Sequence, residues 1–524
     1  MTRTLLASAL VVLGVAAACG KKKGSEKLVG GVGVRVAAGL VTDLRISPDG
    51  KVASYLKEAQ KPRLEGVPDR MRVGELWVVP TAGGDAKKLG NGVSNFPGGY
   101  LFTADSKWVL ELVGYNASAQ AGELDVAAVD GSSDAEKIGS RVTYMLASPD
   151  SKWVAFVDEG ILKLGPLPKG PFRDVNGEVA NAEFTPDSSV LFFKRKQSAG
   201  GSLLAVKVAD ARDTPKKLAD LVGDYRMSPD GKRIAFASKS SPSERGFRLY
   251  VADTGSLKDK KVGENALDFQ FSGDSKWLAR IEGASPEAGG ELYVGTADGS
   301  STGKQLGTAV RDFAFSPDKK RIAWRQNYVA DRGEGFGDLA MADLPEGAVR
   351  MVGRRARSYE WSPDSNALAF AFDVVKPIRS VNLYLWHVDW AESVHVKDWV
   401  YDYDFTPQGD RLLFRADCVR EGRACNLLSI SATEKPTKEA IKKLIEGVFG
   451  FRLSTDGQRV LFTYARMQGD LYDTGVLNLK SGEYKTLDQQ IRMPPYLLDD
   501  AGTKVAYIIA EPKREGVYVA DKVP

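Results

Sequence analysis

Residues 226–236 read RMSPDGKRIAF, and the same stretch recurs along the chain. It returns as RISPDGKVAS at 45–54, LASPDSKWVAF at 146–156, EFTPDSSVLFF at 183–193, QFSGDSKWLAR at 270–280, AFSPDKKRIAW at 314–324, EWSPDSNALAF at 360–370 and DFTPQGDRLLF at 404–414. Weaker copies are LFTADSKWVL at 101–110, RLSTDGQRVLF at 452–462 and LLDDAGTKVAY at 497–507. The Asp position falls at 49, 105, 150, 187, 230, 274, 318, 364, 408, 456 and 501, a period close to 44 residues.

Each copy has the same local logic. Ser or Thr opens a type I turn, Pro presets φ at the next position, Asp follows, and Gly is free to take the left-handed conformation after it. Six copies place Ser or Lys where Gly stands in the others, which reads as a turn that tolerates some backbone strain. An alternating apolar run follows, then a polar loop, then a third strand such as LYVADTG (249–255) or ELYVGTADG (291–299), and a fourth ending near KKL or KQL. Four short strands in roughly 40–45 residues make one blade of a β-propeller, so the chain reads as all-β.

The motif resembles the TolB-like, WD40-like (PD40) propeller repeat, over about residues 38–524. The resemblance implies a scaffold without an activity of its own, since propellers of prolyl-oligopeptidase-like enzymes share it. Eleven blades exceed the usual closed ring of roughly 4–8. Two tandem propellers are therefore expected, five plus six or six plus five blades, divided as 38–265 and 266–524. The run KLVGGVGVRV (27–36) is placed to supply a fourth strand to the last blade and close a ring. EKPTKEAIKKLIEG (434–447) reads as a short helix decorating one blade.

Composition narrows the function classes. The 524 residues are 43% hydrophobic and 27% charged, which speaks against wholesale disorder and against a polytopic membrane protein. Lys+Arg 72 against Asp+Glu 68 leaves +4, too balanced for a nucleic-acid or polyacid partner. Two histidines leave little room for imidazole-based metal or triad chemistry. His387 and His395 would face each other across a hairpin centred on Ala391, with Asp389 and Asp398 near. That is a conceivable metal site, against the plainer reading of two polar residues on outer strands. Gly299-Ser300-Ser301-Thr302-Gly303 matches G-x-S-x-G, but it lies between two blade strands and not in a strand–turn–helix elbow. A hydrolase behind the propeller would need a further domain, and the chain runs only seventeen residues past its last repeat motif. The expectation is no catalytic residue, no metal and no cofactor.

The N-terminus reads as an address. In MTRTLLASALVVLGVAAAC, Arg3 precedes an apolar run from Leu5 to Val15, then Ala16, Ala17, Ala18 and Cys19. The run is too short to span a bilayer and reads as a secretory signal over 1–18. Small residues ending in Cys resemble a bacterial lipobox, which implies that Cys19 carries the lipid; a plain secreted protein cleaved nearby is the alternative. Residues 19–37 would be a lipid-anchored tether, basic and flexible at KKKGSEK (21–27), with the possible ring-closing strand at its end. Gly20 after the Cys favours the outer membrane over the inner. The expected partners are the membrane, through the lipid, and an envelope protein or peptide. Cys418 and Cys425 flank a hairpin signal at Glu421-Gly422, and an exported compartment permits a disulfide between them, with two buried thiols as the alternative.

The strand before each turn should be the innermost of its blade. Four residues before the Ser/Thr sit Asp43, Asn181, Asp224, Asp268, Asp312 and Asp402. Two before it sit Arg45, Glu183, Arg226, Gln270, Glu360, Asp404 and Arg452. Alternate positions share one face of a strand. These residues are the candidate channel lining for a bound ligand; the alternative is that they tie neighbouring blades together. A lyase- or glycosidase-type enzyme would use the carboxylates Glu183, Glu360 and Asp404. Long charged segments at 57–74 and 325–338 read as recognition loops on the face away from the turns.

Overall fold

The computed structural model describes residues 33–523, apart from 97, 197–200, 286, 332–333, 346, 376–379, 420–423, 468–470 and 522. The signal segment, Cys19, the basic tether and the Glu421-Gly422 turn lie outside the described residues. None of the described residues is helical.

The repeated turn is built by its own side chains. Ser228 Oγ donates to Asp230 Oδ1 at 2.7 Å and accepts from the Arg233 N–H at 2.9 Å, while the Gly231 N–H closes the turn on the Ser228 carbonyl at 2.8 Å. The same hydroxyl–carboxylate bond recurs at 2.5–2.7 Å, as in Ser47–Asp49, Thr103–Asp105, Ser316–Asp318, Ser362–Asp364 and Ser454–Asp456. Burial opposes the charge of Asp150, yet the Ser148 hydroxyl and the Lys152 N–H outweigh it and hold the carboxyl below its usual range.

The residue after the Asp position has positive φ in all eleven copies, from +59° at Ser106 and Ser275 to +78° at Gly409. Ser at this position is more than tolerated. Its hydroxyl accepts the backbone N–H of the preceding repeat's Asp, as in Asp49 to Ser106, Asp105 to Ser151, Asp150 to Ser188 and Asp230 to Ser275, each at 3.0 Å. The strained residue is thus also a staple between repeats.

Around each turn the chain forms a four-stranded antiparallel meander, one strand before the turn and three after it. The first comprises Val41–Ile46, Val52–Gln60, Val73–Pro80 and Lys87–Ser94, with Ser54 opposite both Arg45 and Val78. Five long strands, Glu136–Ala147, Lys216–Met227, Arg350–Trp361, Lys442–Leu453 and Tyr484–Leu497, each pair backwards along their first part and forwards along their second. They end one meander and open the next. Among the described residues the pairing resolves into eleven such units.

Each unit buries its faces against its neighbours. Phe156 packs with Leu110, Leu124 and Val126 of the preceding unit, and Phe370 with Ala323, Leu339 and Met341. This stacking of four-stranded blades is a β-propeller. Packing of the same kind crosses residues 265–266, where the blade number suggested a division. Val251 and Val262 there meet Ala266, Phe269, Phe271 and Leu278 in one cluster. The last unit in turn packs on the first, through Ala506, Val517 and Val519 against Val41, Leu44 and Tyr55. Its fourth strand is Val34–Ala38, with Val34 opposite Val519 and Ala38 opposite Gly516.

Two local expectations are corrected. Residues 434–447 form no helix: Lys442–Leu453 is a strand, and Ile445 lies buried opposite Leu427. The unit needs a fourth strand there, and pairing overrides the helix propensity of the segment. The segment 325–338 is mostly paired as well, in a hairpin of Arg321–Asp331 and Glu334–Asp343.

Candidate binding surface on the inner strands

The two rows of polar residues on the first strands have different roles. The row four residues before the turn is largely occupied in ties between blades. Arg325 grips Asp312 with both Nε and Nη2 and reaches the Arg357 carbonyl of the next blade. Arg415 repeats the arrangement, with Nε 2.8 Å from Asp402 Oδ1 and a second nitrogen on the Phe449 carbonyl. Lys194 stands at the same repeat position and donates to the Gly223 carbonyl at 2.7 Å. Asp268 receives Arg226 Nη2 from the preceding blade at 2.9 Å. Asp43 pairs with Arg45 at 3.0 Å, accepts the Tyr100 hydroxyl, and Arg45 donates to the Asn95 and Tyr100 carbonyls across the junction.

The row two residues before the turn is the open one. Glu183, Gln270, Glu360, Asp404 and Arg452 are exposed, whereas Phe269 and Phe313, facing the other way, are buried. Arg45 and Arg226 belong to this row but are taken into the ties. Asp224 is exposed, 3.6 Å from Arg226. Glu183 and Asp224 come together with Asn181, Lys194 and Tyr225 around a cavity of about 250 Å³.

Electrostatics single out one pair. Although its side chain reaches solvent, partial desolvation on the crowded inner wall, and then the negative charge of Asp404, push the Glu360 carboxyl up to about 7. Burial and the charge of Asp402 raise Asp404 in turn, against a lowering backbone hydrogen bond. Burial also raises Glu183. Two acids on adjacent first strands, both held above the usual carboxylate range, suit proton transfer or recognition of a neutral polar ligand.

Sequence reading missed Arg325, Arg415, Lys194 and Tyr225. A partial signal for the first three was present: a basic residue stands nine positions after the turn hydroxyl in three of the six repeats that have Asp or Asn four positions before it, the other three having Leu56, Ala237 and Ile281. A second cavity, of about 750 Å³, lies on the turn-bearing face, lined by Ser189, Lys207, Asp213, Lys216, Ser256 and Leu257. Sequence reasoning placed recognition on the opposite face.

The remaining candidates separate. His395 lies opposite Tyr384 and bonds Asp398 at 2.8 Å, while His387 is buried 3.5 Å from Asp389, so the two rings do not face each other. Among the described residues no group of three or more His, Cys, Asp or Glu side chains is arranged around a metal position. Ser301 sits in a turn where its hydroxyl accepts from the Gly303 N–H. Cys418 and Cys425 are joined by a disulfide, with Cα atoms 3.9 Å apart.

No protein-family model matches the chain, and no curated protein does. Among solved structures it is similar to a eukaryotic initiation factor, at 13% identity and TM-score 0.43 over 68% of this chain and 88% of that one. It is also similar to the β-propeller domain of the Trilobed protease from Pyrococcus furiosus, at 14% identity and TM-score 0.29 over 60% and 98%. Oligogalacturonate lyase in complex with manganese matches at 14% identity and TM-score 0.31 over 65% and 88%. It is the strand pairing and blade packing described above that make the chain an all-β propeller.

Proposed function

We propose that this chain is a non-catalytic lipoprotein of the cell envelope whose propeller is a binding scaffold for a protein, peptide or glycan. The observation that carries the reading is the division of labour on the first strands, with most of one polar row spent on ties and most of the other left open. A scaffold with a rigid wall and free polar groups is pre-organised for recognition. Exposed Trp399, Tyr401, Val329 and Val419, at strand ends on the face away from the turns, add apolar contact area of the kind partners use.

We also favour one ring over two. The packing between units is continuous from the first to the last, and the last rests on the first. Cys19 is the lipid attachment in this reading, on the outer membrane. The fifteen residues from there to Val34 reach at most about 50 Å, so the junction of last and first blades stays near the bilayer.

The test is crosslinking of the mature protein in its native envelope, followed by affinity capture, alongside labelling with a radioactive fatty acid. A defined partner lost in a Glu183→Gln, Asp224→Asn, Glu360→Gln, Asp404→Asn variant that folds normally is the expected result, with label lost in Cys19→Ser. Retention of every partner by that variant overturns the binding surface. A second reading, a channel enzyme, rests on Glu360 and Asp404 alone; turnover of a glycan abolished by Glu360→Gln would favour it.

A further inference from the structure

Eight positions after the turn hydroxyl, nine of the eleven repeats bury an aromatic ring, from Tyr55 and Phe156 to Phe462 and Tyr507. Each ring packs on the preceding blade. Two repeats depart, with Glu111 and Arg280. Arg280 has partners: it pairs with Glu282 at 2.5 Å, donates to the Thr302 carbonyl at 2.6 Å and lies over the Tyr293 ring.

Glu111 differs. It is 0% exposed, and neither of its carboxylate oxygens has a hydrogen-bond partner. Opposite it across the sheet, where other repeats place Trp77, Tyr250 or Tyr384, stands Asp125, whose Oδ1 is likewise buried and without a partner. The preceding blade closes the other side: a Cβ on Gly90 would lie 2.4 Å from Glu111 Oε2. Two residues paired across the sheet thus leave three buried acceptor oxygens without a donor, at the junction of the first and second blades. Such groups call for a ligand that supplies positive charge.

We propose that Glu111 and Asp125 bind a hard divalent cation of the Ca²⁺ type. Carboxylate oxygens suit such an ion, and Ca²⁺ accepts bidentate carboxylates in irregular geometry. Asp125 is half-buried, so water can complete the shell from its side. The cation takes the place of the aromatic contact found at nine of the other blade junctions.

The probe is Tb³⁺, titrated into the metal-free mature chain with tyrosine and tryptophan excitation. Tyr100, directly opposite Glu111 on the neighbouring strand, is the sensitiser. Saturable emission displaced by Ca²⁺ is expected, unchanged in the exposed control Glu65→Gln, lost in Glu111→Gln and weakened in Asp125→Asn. The melting temperature should rise with Ca²⁺ over EDTA in the native chain and not in Glu111→Gln. If Glu111→Gln fails to fold, the half-exposed Asp125→Asn decides. Emission equal in the native chain and in whichever variant folds overturns the site. So does a melting temperature that is the same in Ca²⁺ and EDTA, an outcome that would assign a shared proton to the pair.

Discussion

The backbone N–H of Asp318 donates to the hydroxyl of Ser365, 47 residues later and in the next blade, at 2.8 Å. Ser365 holds φ at +68° to make that bond. Strain and staple are therefore coupled in one residue. Ser365→Ala keeps the strain and loses the acceptor, at an expected cost of about 0.5–1.5 kcal/mol. Ser365→Gly loses the same bond but relieves about 1 kcal/mol of left-handed strain, so its net change should be close to zero. Urea midpoints that rank Gly no better than Ala would show that the conformational part is negligible.

The Arg415 side chain is 4% exposed, whereas that of Arg226 is 42% exposed. Both tie blades. Arg415→Met should cost about 2–3 kcal/mol, because it strands a partly buried Asp402 and frees the Phe449 carbonyl. Arg226→Met should cost no more than about 0.5 kcal/mol, as expected of a solvated pair. Equal midpoints for the two variants would refute the assignment of the buried tie.

Glu360 should titrate near 7 in a carbon-13 NMR experiment, and Asp404→Asn should bring it down by removing the neighbouring negative charge. The native state then binds a proton that the unfolded state has released. Stability from this group is full below the unfolded carboxyl pKa and falls as pH rises towards 7. Glu360→Gln should flatten that slope in a melting series across pH 4 to 7.

Strand Val34–Ala38 covers the edge of Gly516–Ala520. A chain beginning at residue 40 leaves that edge unpaired, and the amides of Val517 and Val519 should lose hydrogen-exchange protection along with a lowered melting midpoint. Unaltered protection at both would mean that the strand is dispensable to the last blade.

The Cys418–Cys425 bridge closes a short loop, with a sequence separation of 7. Chain-entropy arguments give about 2.5 kcal/mol for a loop of this size. Paired serines, or reduction under native conditions, should lower the urea midpoint by a corresponding amount.

Much of the fold was legible because its signals are local. Ser228-Pro229-Asp230-Gly231 specifies a turn with its own hydrogen bonds, and the alternation in Arg233–Ser238 specifies a half-buried strand. The helix expected over 434–447 failed where local preference and sheet pairing disagreed, since Ile445 had to face Leu427. On the candidate surface, the polar rows were legible from period-two spacing, but their roles were not. Asp312 and Asp402 are ties because Arg325 and Arg415 reach them from the second strand, while Glu360 and Asp404 stay open.

By itself the sequence determined the all-β class, the near-44-residue period and the position of every turn, because each depends on φ preferences and side-chain alternation within a dozen residues. Only the tertiary structure decided that serine after the turn is a staple, that the closing strand expected within 27–36 runs as Val34–Ala38 with Val34 opposite Val519, and that Glu111 stands without a partner where most other blades bury a ring. Those outcomes depend on the register of one blade against the next, at separations of tens to hundreds of residues. A repeat can be read from one copy compared with another, whereas the way the copies meet is set by packing in space.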